Sequence, residues 1–464
     1  MKRSPLPLNR LGLPMIAVLI IATAIYSEMI AHPTYHDGKI HVIYWEKWTD
    51  FEGDAIRKTV EAFNRSQNRI HVDLLTVSGI ENKTLLAIAG GDPPDVAGLY
   101  GPNVAQYADD NAIIPLDSYC KRYGLDRNHF IPVFWDMGHY HGHQYALPST
   151  PATTALHYNM AMLLAAGITH PPKTIEELDA DAAKITTRDA NGNIQKVGFL
   201  PTEPGWWNWA WGYFFGGKLW NGSDKITATD PGNIRAYQWI QSYSQKYGPG
   251  NLQSFRSGLG TFSSPQNGFL DGKVAMELQG VWMYNFISRF APQMEKPKRI
   301  WGVVPFPYPA DRPDLANTSV ADEDVLVIPR GAKHPNAAFA FIRFIESRKG
   351  SEMLCGLQRK FSPLRHVDPQ FYATHPNPYI KLFVRLAYSK NVITPPKMGI
   401  WPEYSSALSN AIDEVTLMEK TPEQALEEVQ KEMQPKLDEY LRRLHLRQQV
   451  MHEDQTLPTQ GANQ

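Results

Sequence analysis

An α/β protein of two lobes is what this sequence predicts, and three observations carry the prediction. Strand and helix patterns alternate β-α-β-α-β over residues 40–99, an order that builds a parallel sheet with right-handed crossovers. The same style returns in the middle of the chain. At 464 residues, 43% of them apolar, the chain can fill two or three globular units of roughly 150 residues each.

Taken in order, Ile40-His41-Val42-Ile43-Tyr44-Trp45 reads as a strand. A helix from about Glu52 places Ile56, Val60 and Phe63 on one face, and the alternating Ile70-His71-Val72-Asp73-Leu74 returns as strand. A second helix, about 81–89, stops at Gly90-Gly91, and Asp95-Val96-Ala97-Gly98-Leu99 is the third strand. Farther on, Thr174-Ile175-Glu176-Glu177 is a capping box, Asp230-Pro231 opens another helix, and Val274-Ala275-Met276-Glu277-Leu278 is a strand leading through Gly280 into a helix. Thr421-Pro422-Glu423-Gln424 caps a last helix whose Leu426, Val429, Met433, Leu437, Tyr440 and Leu444 form one apolar stripe, which is core. From about Gln448 the chain is polar and expected to be disordered.

Lys+Arg 46 against Asp+Glu 47, with no basic block, argues against nucleic acid, which needs a clustered positive surface. The two cysteines, Cys120 and Cys355, cannot build a disulfide framework or a thiolate zinc cluster. They are expected to remain unbridged. At the N-terminus, Lys2, Arg3 and Arg10 precede an uncharged run over 11–25 that would span roughly 22 Å as a helix, short of the roughly 30 Å bilayer core. With Ala22-Thr23-Ala24 this matches an export signal over 1–31, the alternative being a retained N-terminal anchor.

Parallel sheets bind ligands outside the carboxyl ends of their strands, which nominates Glu46-Lys47-Trp48-Thr49-Asp50 and Tyr100-Gly101-Pro102-Asn103. Five of the 12 tryptophans fall between Trp206 and Trp220. Trp209 and Trp211 belong to a short helix ending at Gly216-Gly217, whereas Trp206 and Trp207 sit in the loop before it, freer to face a cleft. An indole face matches the apolar C–H face of a pyranose, and carboxylates accept its hydroxyl protons. His139, His141 and His143 alternate as a metal site would, yet Gly138 and Gly142 indicate a hairpin turn that scatters the rings. No metal or cofactor is expected. Asp322-Glu323-Asp324 and the Asp50, Glu52, Asp54 group could serve a glycosidase, but the chain has no nucleophile elbow, His-Glu-x-x-His or dinucleotide fingerprint.

Phe269-Leu270-Asp271-Gly272-Lys273-Val274-Ala275-Met276, followed by Gly280-Val281-Trp282, resembles the F-x-x-G-K-x-A-M-x-x-x-G-x-W run of the family 1 extracellular solute-binding proteins, the sugar receptors of ABC importers. Gly91-Asp92-Pro93-Pro94-Asp95-Val96, Tyr145-Ala146-Leu147-Pro148, Tyr158-Asn159 and Ile328-Pro329-Arg330-Gly331-Ala332 match in the same order over about 40–444. The resemblance implies a type II periplasmic-binding-protein fold hinged by crossing strands, with lobe one over 37–147 and 308–333, lobe two over 148–307 and 334–445, and a tail over 446–464. It implies sugar contacts at Trp282, Trp401, Glu203 and Trp206, although Gly205 replaces the family's tyrosine and 150–154 carries no charge, so a maltodextrin-type pattern is not expected.

The resulting expectation is an exported, monomeric, non-enzymatic carbohydrate receptor that delivers its ligand to the permease subunits of an ABC transporter. Trp282 and Trp401 are the main stacking platforms, with Trp48, Tyr100, Trp206 and Trp207 behind them. Glu203 and at least one of Glu46, Asp50, Asn103, Asp322 and Glu323 should touch the same ligand. The alternatives are an extracytoplasmic carbohydrate-active enzyme, or a receptor for another polar solute such as a polyol phosphate, which would need a basic cluster in the cleft.

Overall fold

The computed structural model describes residues 37–456; the expected export signal lies outside them. Strand β1 (Ile40–Glu46), helix α1 (Asp50–Ser66), β2 (Ile70–Thr76), α2 (Ile80–Ala89) and β3 (Val96–Tyr100) follow the predicted order. β1 pairs in parallel with β2 and with β3. Ile56, Val60 and Phe63 are buried on one face of α1, whose acidic first turn and Arg65 near its end suit the helix dipole. Helix α3 (Asn103–Asp109) follows at once.

The hairpin expected around the alternating histidines forms as β4 (His139–Tyr140) and β5 (His143–Gln144), with His141 and Gly142 at positive φ in the two-residue turn. Strand β6 (Leu147–Asn159) then leaves the first lobe for the second. Its first half pairs with β11 (Ser319–Val327) and its second half with β9 (Val274–Gly280), so it is a crossing strand. The sheet runs β2-β1-β3-β11-β6-β9-β8-β7, where β7 is Thr187–Arg188 and β8 is Ile194–Phe199; β10 (Trp301–Val304) pairs β6 and β12 (Val392–Ile393) pairs β11. In the second lobe β8 and β9 are parallel, but β9 and β10 both run antiparallel to β6. That part of the sheet is mixed rather than mainly parallel, because the chain re-enters it through β6 from the opposite direction.

Helix caps are formed by the side chains that predicted them. Thr174 accepts from Glu177 N at the start of α4 (Ile175–Ile185), and Asp230 from Gly232 N at the start of α5 (Pro231–Tyr247). Glu177 reaches back to Lys173 N, one residue before the cap. After β9 comes α6 (Met283–Phe290), and the later helices are α7 (Pro335–Ile345), α8 (Arg348–Leu357), α9 (Trp401–Thr416) and α10 (Pro422–Thr456). At α10 Thr421 and Gln424 exchange both bonds of a capping box. α10 continues to Thr456, past the point where a disordered tail was expected to begin.

Among the apolar clusters of the described residues, one belongs to each lobe. One gathers Val42, Phe63, Val72, Leu326 and Phe341; the other gathers Leu156, Phe199, Trp211, Trp239, Leu408 and Leu437. α7 and α8 pack in the first core through Phe339, Ile342 and Leu354, so residues 335–364 belong to lobe one and not to lobe two as the family boundaries implied. This also changes the reason the cysteines stay apart. Both are free and buried, but Cys355 lies on α8, on the same lobe as Cys120, with its thiol 3.6 Å from Ser149 O.

Candidate functional site

The first lobe contributes a buried charge network at the carboxyl ends of its strands. Lys47 follows β1 and places its ammonium 3.3 Å from Glu46 and 3.0 Å from Asp324. Lys360, just beyond α8, lies 3.2 Å from Glu52 and 3.6 Å from Asp324. Asp324 also accepts from Trp48 Nε1 at 3.1 Å and from Thr150 Oγ1 at 2.5 Å. Burial opposes the charge on Asp324, yet Lys47 and Lys360 outweigh it and hold the carboxyl below its usual range. Burial likewise opposes the charge on Lys47, and Asp324 and Glu46 outweigh it, keeping the ammonium charged. Such a network tolerates burial because each ion meets counter-ions and hydrogen bonds together.

Above this floor lies a cavity of about 710 Å³ between the lobes, large enough for a short oligosaccharide by the usual size of ligand pockets. Its lobe-two wall is aromatic. Trp206 and Trp207 lie 6.1 and 6.0 Å from Trp282, centroid to centroid, and Trp209 meets Trp401 edge-on at 5.2 Å. On the lobe-one side Trp48 meets Tyr100 at 6.0 Å, and Lys47 Nζ lies 4.4 Å from the Tyr100 ring centroid. The position of Trp282 depends on Gly280: a Cβ there would fall 2.3 Å from the indole, so only glycine lets the ring fold back over the strand end.

Of the residues nominated from sequence, Trp48, Asp50, Tyr100, Asn103, Trp206, Trp207, Trp282, Asp322, Glu323 and Trp401 border this cavity. Their depths differ. Trp206 is 44% exposed, whereas Trp401 is 4% exposed and packs in the lobe-two core. Asn103 accepts Tyr100 N–H at 3.2 Å, and Asp50 pairs with Arg289 of α6 at 2.7 Å across the mouth.

Two nominated carboxylates do not line the cavity. Glu46 is buried beneath β3, where Gly98 leaves it room: a Cβ at Gly98 would meet Glu46 Oε2 at 2.0 Å. Its oxygens serve Tyr44 OH and Lys47. Glu203 turns away toward Arg256, 3.7 Å off, and burial raises its pKa. Asp322 and Glu323 lie inside the returning strand β11 rather than before it. Alternation along that strand sends Asp322 and Asp324 to one face and Glu323 to the other. There Glu323 is 2% exposed with neither carboxylate oxygen hydrogen-bonded, and burial, then Asp322, pushes its pKa well up.

Lys360, Thr150 and Trp209 also border the cavity without having been nominated, as do Asp324 and Glu52, which the sequence offered only as carboxylates for a glycosidase. Asp324 had a signal, since it shares the strand period of Asp322. Lys360 had none, because its place depends on α7 and α8 folding onto lobe one. No described helix is long and apolar enough to cross a membrane, and among the described residues no group of three or more His, Cys, Asp or Glu could hold a metal ion.

Comparison with known proteins places this geometry. Residues 51–352 match the family model described as bacterial extracellular solute-binding protein. The maltotriose-binding protein of Pyrococcus abyssi is 22% identical over 246 residues, 53% of this chain but only half of that relative's length. An uncharacterized ABC transporter extracellular-binding protein of Pyrococcus horikoshii is 25% identical over 354 residues, 74% of each. Among solved structures, CpMnBP1 with mannotriose bound superposes with a TM-score of 0.75 at 28% identity, covering 85% of this chain and 100% of the other. The sugar-binding protein MalE of Xanthomonas citri has the same fold, at TM-score 0.71 and 21% identity over 88% of this chain and 99% of its own.

Proposed function

The chain belongs to the bacterial extracellular solute-binding protein family, and from that premise we propose that it captures a mono- or oligosaccharide between its lobes and presents it to the permease subunits of an ABC transporter. One observation carries this reading: a cavity between two lobes with indoles on one wall and buried, hydrogen-bonding carboxylates on the floor. Flat apolar faces with polar edges are what a pyranose offers in return. The mannotriose complex of CpMnBP1, at 28% identity over most of both chains, supports a saccharide as ligand.

The protein works outside the cytoplasm, as a monomer, and makes no or breaks no covalent bond. The floor supports a receptor over a hydrolase because Asp324 and Glu52 are held by lysine ammonium groups, and the remaining carboxylates there, Asp322 and Glu323, are neighbours on β11 whose side chains point to opposite faces of the strand and cannot flank one glycosidic bond. A phosphorylated solute is disfavoured too, since Lys47 and Lys360 are already neutralised. The test is titration calorimetry against a panel of mono- to trisaccharides, with recovery and analysis of the ligand afterwards. Saturable binding and intact sugar are expected; steady cleavage, or no binding across the panel with a phosphorylated polyol bound instead, refutes the reading.

A further inference from the structure

The acidic groups at the cleft are unequally answered. Asp50 meets Arg289, Glu52 meets Lys360, and Asp324 meets both Lys47 and Lys360. Asp322 meets no cation within ion-pair distance among the described residues; its Oδ1 accepts from Glu323 N–H at 2.9 Å. Yet it borders the cavity, on the same strand face as Asp324. Glu46, Glu52, Asp322 and Asp324 together outnumber Lys47 and Lys360, so the floor carries negative charge in excess.

On this basis, and resting on the carbohydrate reading, we infer that the cleft favours saccharides that carry a protonated amine over their hydroxyl counterparts, with Asp322 as the group that meets the ammonium. A hydroxyl donates to a carboxylate whether or not the protein has neutralised it. An ammonium gains most from one the protein has left unanswered, because the ion pair replaces an unfavourable buried charge. Burial, and next the neighbouring Asp324, push the Asp322 carboxyl up to about 6 against the more distant pull of Lys360 and Lys47. The indole faces across the cavity add attraction for a cation that a neutral sugar does not use. A uronic acid would meet repulsion from the same floor.

The experiment compares cellobiose with the β-1,4-linked glucosamine dimer, and glucose with glucosamine. The members differ by hydroxyl against ammonium at C2 of each ring, one position in the monosaccharide pair and two in the disaccharide pair. Calorimetry near neutral pH should find the amine member about tenfold tighter, and added salt should narrow the gap. Asp322→Asn should bring the amine-to-hydroxyl affinity ratio of each pair to about one, whatever it does to the affinity of the hydroxyl member itself. Should that variant fail to fold, the wild-type pairs and their salt dependence decide the matter alone. Equal or weaker binding of the amine members overturns this inference and leaves the carbohydrate reading standing. Binding of neither member of either pair, nor of any sugar in the wider panel, overturns both.

Discussion

Trp206 and Trp401 border one cavity from different depths, and depth decides what their loss should cost. Trp206 is exposed enough that Trp206→Ala should leave the unliganded melting temperature nearly unchanged while weakening saccharide binding by about 1–3 kcal/mol, read by calorimetry. Trp401 is core as much as wall, so Trp401→Ala should cost about 3–5 kcal/mol of stability, read by denaturant unfolding. Asp324 is the keystone of the buried ions. Asp324→Asn removes the counter-ion that Lys47 and Lys360 share, leaving each with one carboxylate, and should destabilise by about 1–3 kcal/mol. Because its folded pKa is depressed, its stabilising effect is complete above the ordinary carboxylate pKa of about 4 and is lost as pH falls through the folded value. Glu323 and Glu346 have the opposite sign. Both are buried with no hydrogen-bond partner for either oxygen, and burial raises both pKa values. The folded state then holds protons that the unfolded state has released, so stability falls as pH rises above the unfolded pKa. Glu323→Gln and Glu346→Gln should therefore raise the melting temperature, and by more at about pH 8 than at about pH 5.

At the scale of elements, the period of two along β11 separates a cleft-facing Asp322 from a core-facing Glu323, a distinction already present in the spacing. What sequence alone misjudged was where β11 begins: Asp322 and Glu323 were expected to precede the returning strand, whereas the strand takes them into the sheet between β3 and β6. The link from β9 into α6 behaves differently, since Gly280 and Trp282 are both written in the motif and the structure explains their joint presence. Gly280→Ala should displace the indole. Saccharide affinity should fall by about 1–3 kcal/mol with little change in circular dichroism; unchanged affinity would show that Trp282 is not a ligand platform.

For the whole molecule, contacts join the lobes beside the cavity. Arg289 pairs with Asp50 and lies 5.9 Å from the Phe51 ring centroid, and Phe51 meets Phe286 edge-on at 5.6 Å. Tyr440 of α10 bonds both Asp109 and Tyr140 of lobe one. A ligand favours closure only by touching the closed state more than the open one, so these contacts set the balance against which it works. The exposed Asp50–Arg289 pair is worth about 0–1 kcal/mol. Arg289→Ala should thus shift the unliganded ensemble toward a larger radius of gyration in small-angle scattering, while saturating saccharide restores wild-type dimensions. Wild type should itself compact on binding; identical dimensions with and without ligand would remove the hinge from the mechanism.

Local order was legible because it depends on neighbours in the chain. Hydrophobic period, capping residues and glycine stops near Ile56, Thr174, Asp230, Gly90 and Thr421 act within a few residues of themselves, and so did the nomination of the loops after β1 and β3. The aromatic wall could be listed for the same reason, as tryptophans clustered at 206–211 and a glycine-spaced Trp282. Which carboxylate is free, which is neutralised and which is buried were decided only by tertiary structure. Glu46 and Glu203 looked equivalent to Asp322 as a list of letters, yet Gly98 gives one a buried slot and Arg256 turns the other aside. Lys360 reaches Asp324 only because α7 and α8 pack on lobe one, so residues far apart in sequence share one low-dielectric site. Charge state there depends on three-dimensional distance and burial, which no local pattern encodes.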